Sequence, residues 1–172
     1  MHFTSIDGGN ATVLQGPQAD ALVAECLAAF SSGSLDAIYD LGVAFSTGSL
    51  YGLVPVASGG SQEEDQPRPD GEYAMAAVCR ENIFRYYSQS LQIPMILLRL
   101  NYATELRYGI IHDIAWKVWE GEPIDLSMGH VNQIWQGDAN SYLARSFPLC
   151  TSPTKVLNLT GRVVLSVRQM AE

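Results

Sequence analysis

The chain has 172 residues, is 47% hydrophobic and 16% charged, and carries a formal net charge of -8. That balance suits one globular domain, long enough for one core and short for two. The acidic excess, with only ten Lys and Arg, excludes sequence-independent binding to phosphate backbones or anionic lipid, so neither nucleic acid nor a membrane surface is an expected partner.

The amino terminus, "MHFTSIDGGN", has neither the basic flank nor the apolar stretch of a signal peptide. No apolar run approaches the roughly 20 residues of a membrane span, and the chain reads as cytoplasmic. Cys26, Cys79 and Cys150 are widely separated, form no CxxC pair and read as small buried thiols; no metal site is expected. Two sequons, at Asn10 and Asn158, carry no meaning in such a compartment.

Residues 1–17 lack periodicity and predict an irregular segment. "QADALVAECLAAF", Gln18 to Phe30, predicts a helix. "AIYDLGVAFS" is a strand-length apolar run, apolar on both faces as a central parallel strand would be. The Gly-, Pro- and acid-rich stretch from Val54 to Glu72 is a long surface loop, its "EEDQ" run a solvated face. An amphipathic helix follows from Tyr73 to Ser88, then an apolar strand in "IPMILLRLNY". Helix, strand, loop, helix, strand is the alternation of a doubly wound parallel α/β sheet.

Beyond Tyr102, "GIIHDIAWKVWEG" predicts a helix closed by Gly121. "EPIDLSM" and "HVNQIW" read as short strands, Asp138 as the N-cap of a helix through "ANSYLARSF", "KVLNLTG" as a further strand and Ser166 as the cap of a terminal helix. His112 and His130 are expected at the surface. Tyr108, Trp116 and Trp119 read as core or a subunit contact.

In an open parallel sheet, ligands sit outside the carboxyl ends of the strands. At such an end stands "STGSLYG", where Thr47 can hydrogen-bond a ligand oxygen or simply cap local backbone. Tyr73, 26 residues on across one loop, can exchange a proton there if the two side chains converge.

These residues resemble the extended short-chain dehydrogenases/reductases, specifically the NAD(P)-dependent nucleotide-sugar epimerases and dehydratases. The resemblance runs through "STGSLYG", the loop "EEDQPRPDGEY" leading to Tyr73, "LLRLNYA", "EGEPIDLSMGHVNQIWQGDAN" and "VLNLTGRVVLSVRQMAE", in that order from Val43 to Glu172. It implies a partial Rossmann-like parallel sheet over 18–172, with a substrate-side portion at about 103–172. It also implies catalytic Thr47 and Tyr73; NAD or NADP contacts at Thr47, Tyr73 and Leu100; nucleotide-sugar contacts at Ser49 and Asn101; and a possible homodimer through the Tyr73 helix.

Two departures bear on activity. The family's YxxxK lysine, which bonds the nicotinamide ribose and activates the tyrosine by its charge, falls on Ala77, and the GxxGxxG turn that seats the pyrophosphate is absent from the sequence. The expectation is therefore the second half of such an enzyme, incomplete and weak or inactive toward the cofactor. The alternative is a non-catalytic ligand-binding or dimerisation fragment of the same fold.

Overall fold

The computed structural model describes residues 41–172. The irregular segment 1–17, the helix expected over Gln18–Phe30, Cys26 and the first residues of the "AIYDLGVAFS" strand lie outside the described residues. Strand β1 spans Gly42–Thr47, helix α1 Gly71–Leu91 and strand β2 Met95–Leu100. Then follow β3 (Ala103–Thr104), α2 (Ile110–Glu120), β4 (His130–Asn132), β5 (Ile134–Trp135), α3 (Gln136–Ser146), β6 (Lys155–Leu159), β7 (Val164–Ser166) and α4 (Val167–Ala171).

The main sheet has the order β1-β2-β6 with all strands parallel, its third strand drawn from inside the 103–172 segment. This is an α/β fold in which two sequence-adjacent strands, joined through α1, lie side by side as their apolar runs predict. The register sets two rows across the sheet: Ser46, Arg99 and Asn158, and beyond them Thr47, Leu100 and Leu159.

Because side chains alternate along a strand, the two faces differ in content. Ile96 and Leu98 pack with Leu159, Ile134 and Ala139, with Val43 and Leu143 against them, and this is the core on the α3 side. Arg99 points to the other face, where it meets Glu81 of α1. α1 buries Ala74, Ala77, Glu81 and Ser88, a stripe at helical spacing whose small residues let the helix axis approach the sheet. At its end Gln92 adopts a left-handed conformation while Ser88 bonds Ile93 through backbone and hydroxyl.

The structure departs from the sequence expectations in several places. β1 is not buried on both faces: among the described residues it is an edge strand, and Phe45 is 42% exposed. "EPIDLSM" forms no strand, because Pro123 offers no N–H and the Asp125 carboxylate takes the Ser127 N–H at 2.8 Å, a local turn in place of a ladder. "HVNQIW" divides at Gln133, β4 pairing antiparallel with β7 and β5 parallel with β3.

Helix α3 begins at Gln136 with Trp135 in the N-cap position, so Asp138 is not the cap; it stands inside the first turn, where its charge complements the helix dipole. Finally, Trp116 and Trp119 are 57% and 83% exposed and Cys79 is exposed, so none of the three is core; Tyr108 is also partly exposed and hydrogen-bonds Gln136.

Other boundaries agree with the pattern. Gly121 closes α2 at φ 70°, its N–H returning to Lys117 and Val118, a conformation glycine adopts without steric cost. The Ser166 hydroxyl accepts the Gln169 N–H at the start of α4. His112 lies parallel to the Trp116 ring, and His130 is exposed. No helix of the described residues is long and apolar enough to cross a membrane.

Candidate functional site

The row Thr47, Leu100 and Leu159 closes the carboxyl end of the sheet. After Thr47 the chain bends into a 3-10 turn, Gly48–Tyr51, and the buried Thr47 hydroxyl accepts the Ser49 N–H and donates to the Ser49 hydroxyl, both at 3.2 Å. Thr47 thus does cap local backbone, one of its two sequence readings, while its partner Ser49 stays exposed.

Asn101 joins the same corner from β2. Its N–H donates to the Leu159 carbonyl at 3.0 Å and its amide to the Asn132 carbonyl at 3.4 Å. A Cβ on Gly48 would stand 3.1 Å from Asn101 Oδ1, so the turn lies close against Asn101 and a larger residue there would require that side chain to shift. Thr47, Ser49, Leu100 and Asn101 are therefore brought together. Tyr73 stands on the first turn of α1 with 68% of its surface exposed, and its hydroxyl makes no hydrogen bond among the described residues.

Beneath this corner lies a polar network that the sequence reading did not assemble. Arg99, 2% exposed, grips both carboxylate oxygens of Glu81, Nε to Oε1 at 2.9 Å and Nη2 to Oε2 at 2.8 Å. Its Nη1 donates to the Tyr51 phenol at 2.6 Å and to the Glu63 carbonyl at 3.2 Å. Tyr51 in turn donates to Asn158 Oδ1 at 2.7 Å.

The Asn158 N–H goes to Glu63 Oε1 at 2.8 Å, and its amide to the Ser61 carbonyl at 3.2 Å. The acidic loop is consequently not a solvated face throughout: Glu63 is bonded to the sheet. Asn158 of the sequon is committed to these bonds. One sequence signal pointed here: an arginine inside the otherwise apolar strand "MILLRL" demands a carboxylate, and Glu81 lies on the buried small-residue stripe of α1.

Burial alone would raise the Glu81 carboxyl and lower the Arg99 guanidinium, but their mutual bonds prevail, holding Glu81 below its ordinary range and Arg99 above its own. Burial pushes the Tyr51 phenol up against the opposing pull of Arg99. The Cys150 thiol, half-buried and bonded to the Gly42 carbonyl, is pushed up by desolvation to about 11 and stays protonated at neutral pH, inert as a nucleophile.

The sign of the Glu81 effect fixes a pH dependence. A carboxylate depressed in the folded state contributes stability that is present above its unfolded value of 4.5 and is lost as pH falls through the folded value. Urea unfolding at a series of pH values is expected to show stability declining below that point. The paired replacement Glu81→Met with Arg99→Met should flatten the acid slope; an unchanged slope would mean that other carboxylates govern it.

Among the described residues, the position that the resemblance gives to a ribose-binding lysine does not fit that contact. Where a lysine would reach the nicotinamide ribose, Ala77 is 2% exposed against the sheet and brings no charge. Among the described residues no group of three or more His, Cys, Asp or Glu could hold a metal ion.

No protein-family model and no curated protein matches the sequence. Solved structures do match the fold. A UDP-glucose 4-epimerase of Thermus thermophilus in complex with NAD aligns with a TM-score of 0.61 at 21% identity, over 77% of this chain and 46% of its own. A dTDP-glucose 4,6-dehydratase of Bacillus anthracis in complex with NAD aligns at 0.64 and 18% identity, over 90% of this chain and 52% of its own. A UDP-glucuronic acid 4-epimerase of Bacillus cereus in complex with NAD gives 0.59 and 18%, over 76% and 43%. The chain spans about half the length of these structures and has the Rossmann-like fold of that half.

Proposed function

We propose that this chain, sharing its fold with about half of the NAD-bound nucleotide-sugar epimerases and dehydratases, is the sugar-side part of such a protein and binds a nucleotide sugar at the carboxyl ends of β1 and β2. The observation that carries this reading is the corner itself: Thr47, Ser49 and Asn101 converge there around Gly48, where an open parallel sheet binds ligands. Sugar hydroxyls need such paired donors and acceptors, which Ser49 and Asn101 offer.

In an intact active site Tyr73 would exchange a hydroxyl proton of the sugar with Thr47 assisting, while hydride transfer at the sugar carbon would need a nicotinamide site beyond what these residues supply. As it stands, the chain is a binder of the sugar and an incomplete catalyst. A cytoplasmic location is part of the same proposal.

A second reading, pairing with another copy, is favoured by one feature of α1. Its outer side carries Met75, Ile83, Tyr86, Tyr87 and Leu91, all at least half exposed. Sedimentation of the purified chain separates a monomer from that dimer.

Calorimetric titration tests the binding itself. UDP-glucose or dTDP-glucose is expected to bind, with Thr47→Ala and Asn101→Ala each weakening the affinity about tenfold, or 1.4 kcal/mol. NAD and NADP are expected at roughly millimolar dissociation constants or weaker. Absence of nucleotide-sugar binding would overturn the proposal, and low-micromolar NAD binding would overturn its cofactor part.

A further inference from the structure

We infer that Arg99 is a positioning residue that sets where the Thr47–Ser49 hydroxyls stand relative to α1, and so to Tyr73. The inference deepens the sugar-binding reading and rests on it for its functional meaning. α1 packs directly on β1 and on the Gly48–Tyr51 turn, and the Arg99 guanidinium is a buried group to which a side chain of α1 and a side chain of the turn are both bonded.

On one side the fork takes both oxygens of Glu81, eight residues beyond Tyr73 on the same helix, about 12 Å along its axis. On the other side Nη1 takes the phenol of Tyr51, the last residue of the turn that begins just after Thr47, and the Arg99 Cζ lies 4.9 Å from the centroid of the Tyr51 ring. The second bond of Nη1, to the Glu63 carbonyl, holds the loop between them.

A planar guanidinium fixes these directions relative to one another because its donors cannot rotate independently. A lysine at position 99 would keep the charge opposite Glu81 while losing the fork, leaving the phenol and the Glu63 carbonyl without their donor. Tyr51 passes the constraint onward through Asn158, so the turn is held from β2 and β6 at once.

Two variants of the full chain test this, Arg99→Lys and Tyr51→Phe, with amide hydrogen exchange read residue by residue by NMR. The Ser49 N–H is bonded to the Thr47 hydroxyl and the Gly52 N–H to the Ser49 carbonyl, so both report the turn. Each variant is expected to speed exchange at Ser49 and Gly52 about tenfold while Leu98 and Leu157 in the sheet keep their protection. Uniform acceleration across the molecule, or none at the turn, would overturn the inference. Should Arg99→Lys fail to fold, Tyr51→Phe, which keeps the ring, decides alone.

UDP-glucose titration separates the two readings. Tyr51→Phe is expected to weaken binding about tenfold, and less than additively with Thr47→Ala, since both act on one turn; full additivity would count against positioning. If the unaltered chain binds no UDP-glucose, the sugar-binding reading falls, while the exchange pattern still decides whether Arg99 holds the turn.

Discussion

Arg99→Met is expected to remove about 3–5 kcal/mol of folding stability, the usual cost of leaving one member of a buried ion pair without its partner. Glu81 is 2% exposed, and both of its oxygens look to the Arg99 fork, with the partly exposed Arg85 a more distant partner at 3.4 Å. Removing the guanidinium strands the carboxylate, the Tyr51 phenol and the Glu63 carbonyl together. Replacing both charges, Arg99→Met with Glu81→Met, should recover much of that loss, because two apolar side chains of similar length escape the desolvation penalty instead of offsetting it. Urea unfolding of the single and double variants checks this. A double variant no more stable than the single one would mean that the Tyr51 and Glu63 bonds, and not the ion pair, hold this layer.

Leu98→Ala is expected to cost about 2–5 kcal/mol, the range for truncating a buried leucine where the cavity cannot fully collapse. Leu98 is 1% exposed, stands between Phe45 and Leu157 in the register, and faces the cluster of Ile96, Ile134, Ala139 and Leu159. Its neighbours on the two flanking strands are held by ladders and cannot move in to fill the space. Phe45→Ala, at an edge strand and 42% exposed, should cost about 1 kcal/mol or less in the same assay. Equal costs at the two positions would show that β1 is covered more fully than its place in the described sheet implies.

The contrast between Leu98 and Phe45 marks where sequence stops being informative. Two apolar runs separated by an amphipathic helix have little choice but to form parallel neighbours, since a helical crossover returns the chain in the same direction. From this the pairing of "VAFST" with "MILLRL" was legible, and with it the placing of Thr47, Leu100 and Asn101 at one end of the sheet. Gly121 and Ser166 were legible for a similar reason: a cap is chosen by atoms only a few residues away. The family resemblance added roles to those positions, and the fold likeness of the solved structures supports the framework.

What tertiary structure decided is everything that depends on a partner distant in the chain. Phe45 reads as core by its chemistry, yet exposure is set by which strand lies beside it. "EPIDLSM" has strand-like alternation, but a strand exists only where a neighbour takes its backbone bonds, and Asp125 satisfied one locally first. The arginine in "MILLRL" announced a need for an anion without saying which of eighteen acidic residues would meet it. Glu81 did so from 18 residues away because the packing of α1 on β1 and β2 brings its buried stripe over that strand. The loop glutamate Glu63 was captured by a backbone N–H on β6, 95 residues distant. Local physical chemistry chose the elements and their ends; the docking of one element on another chose the partners of every buried charge.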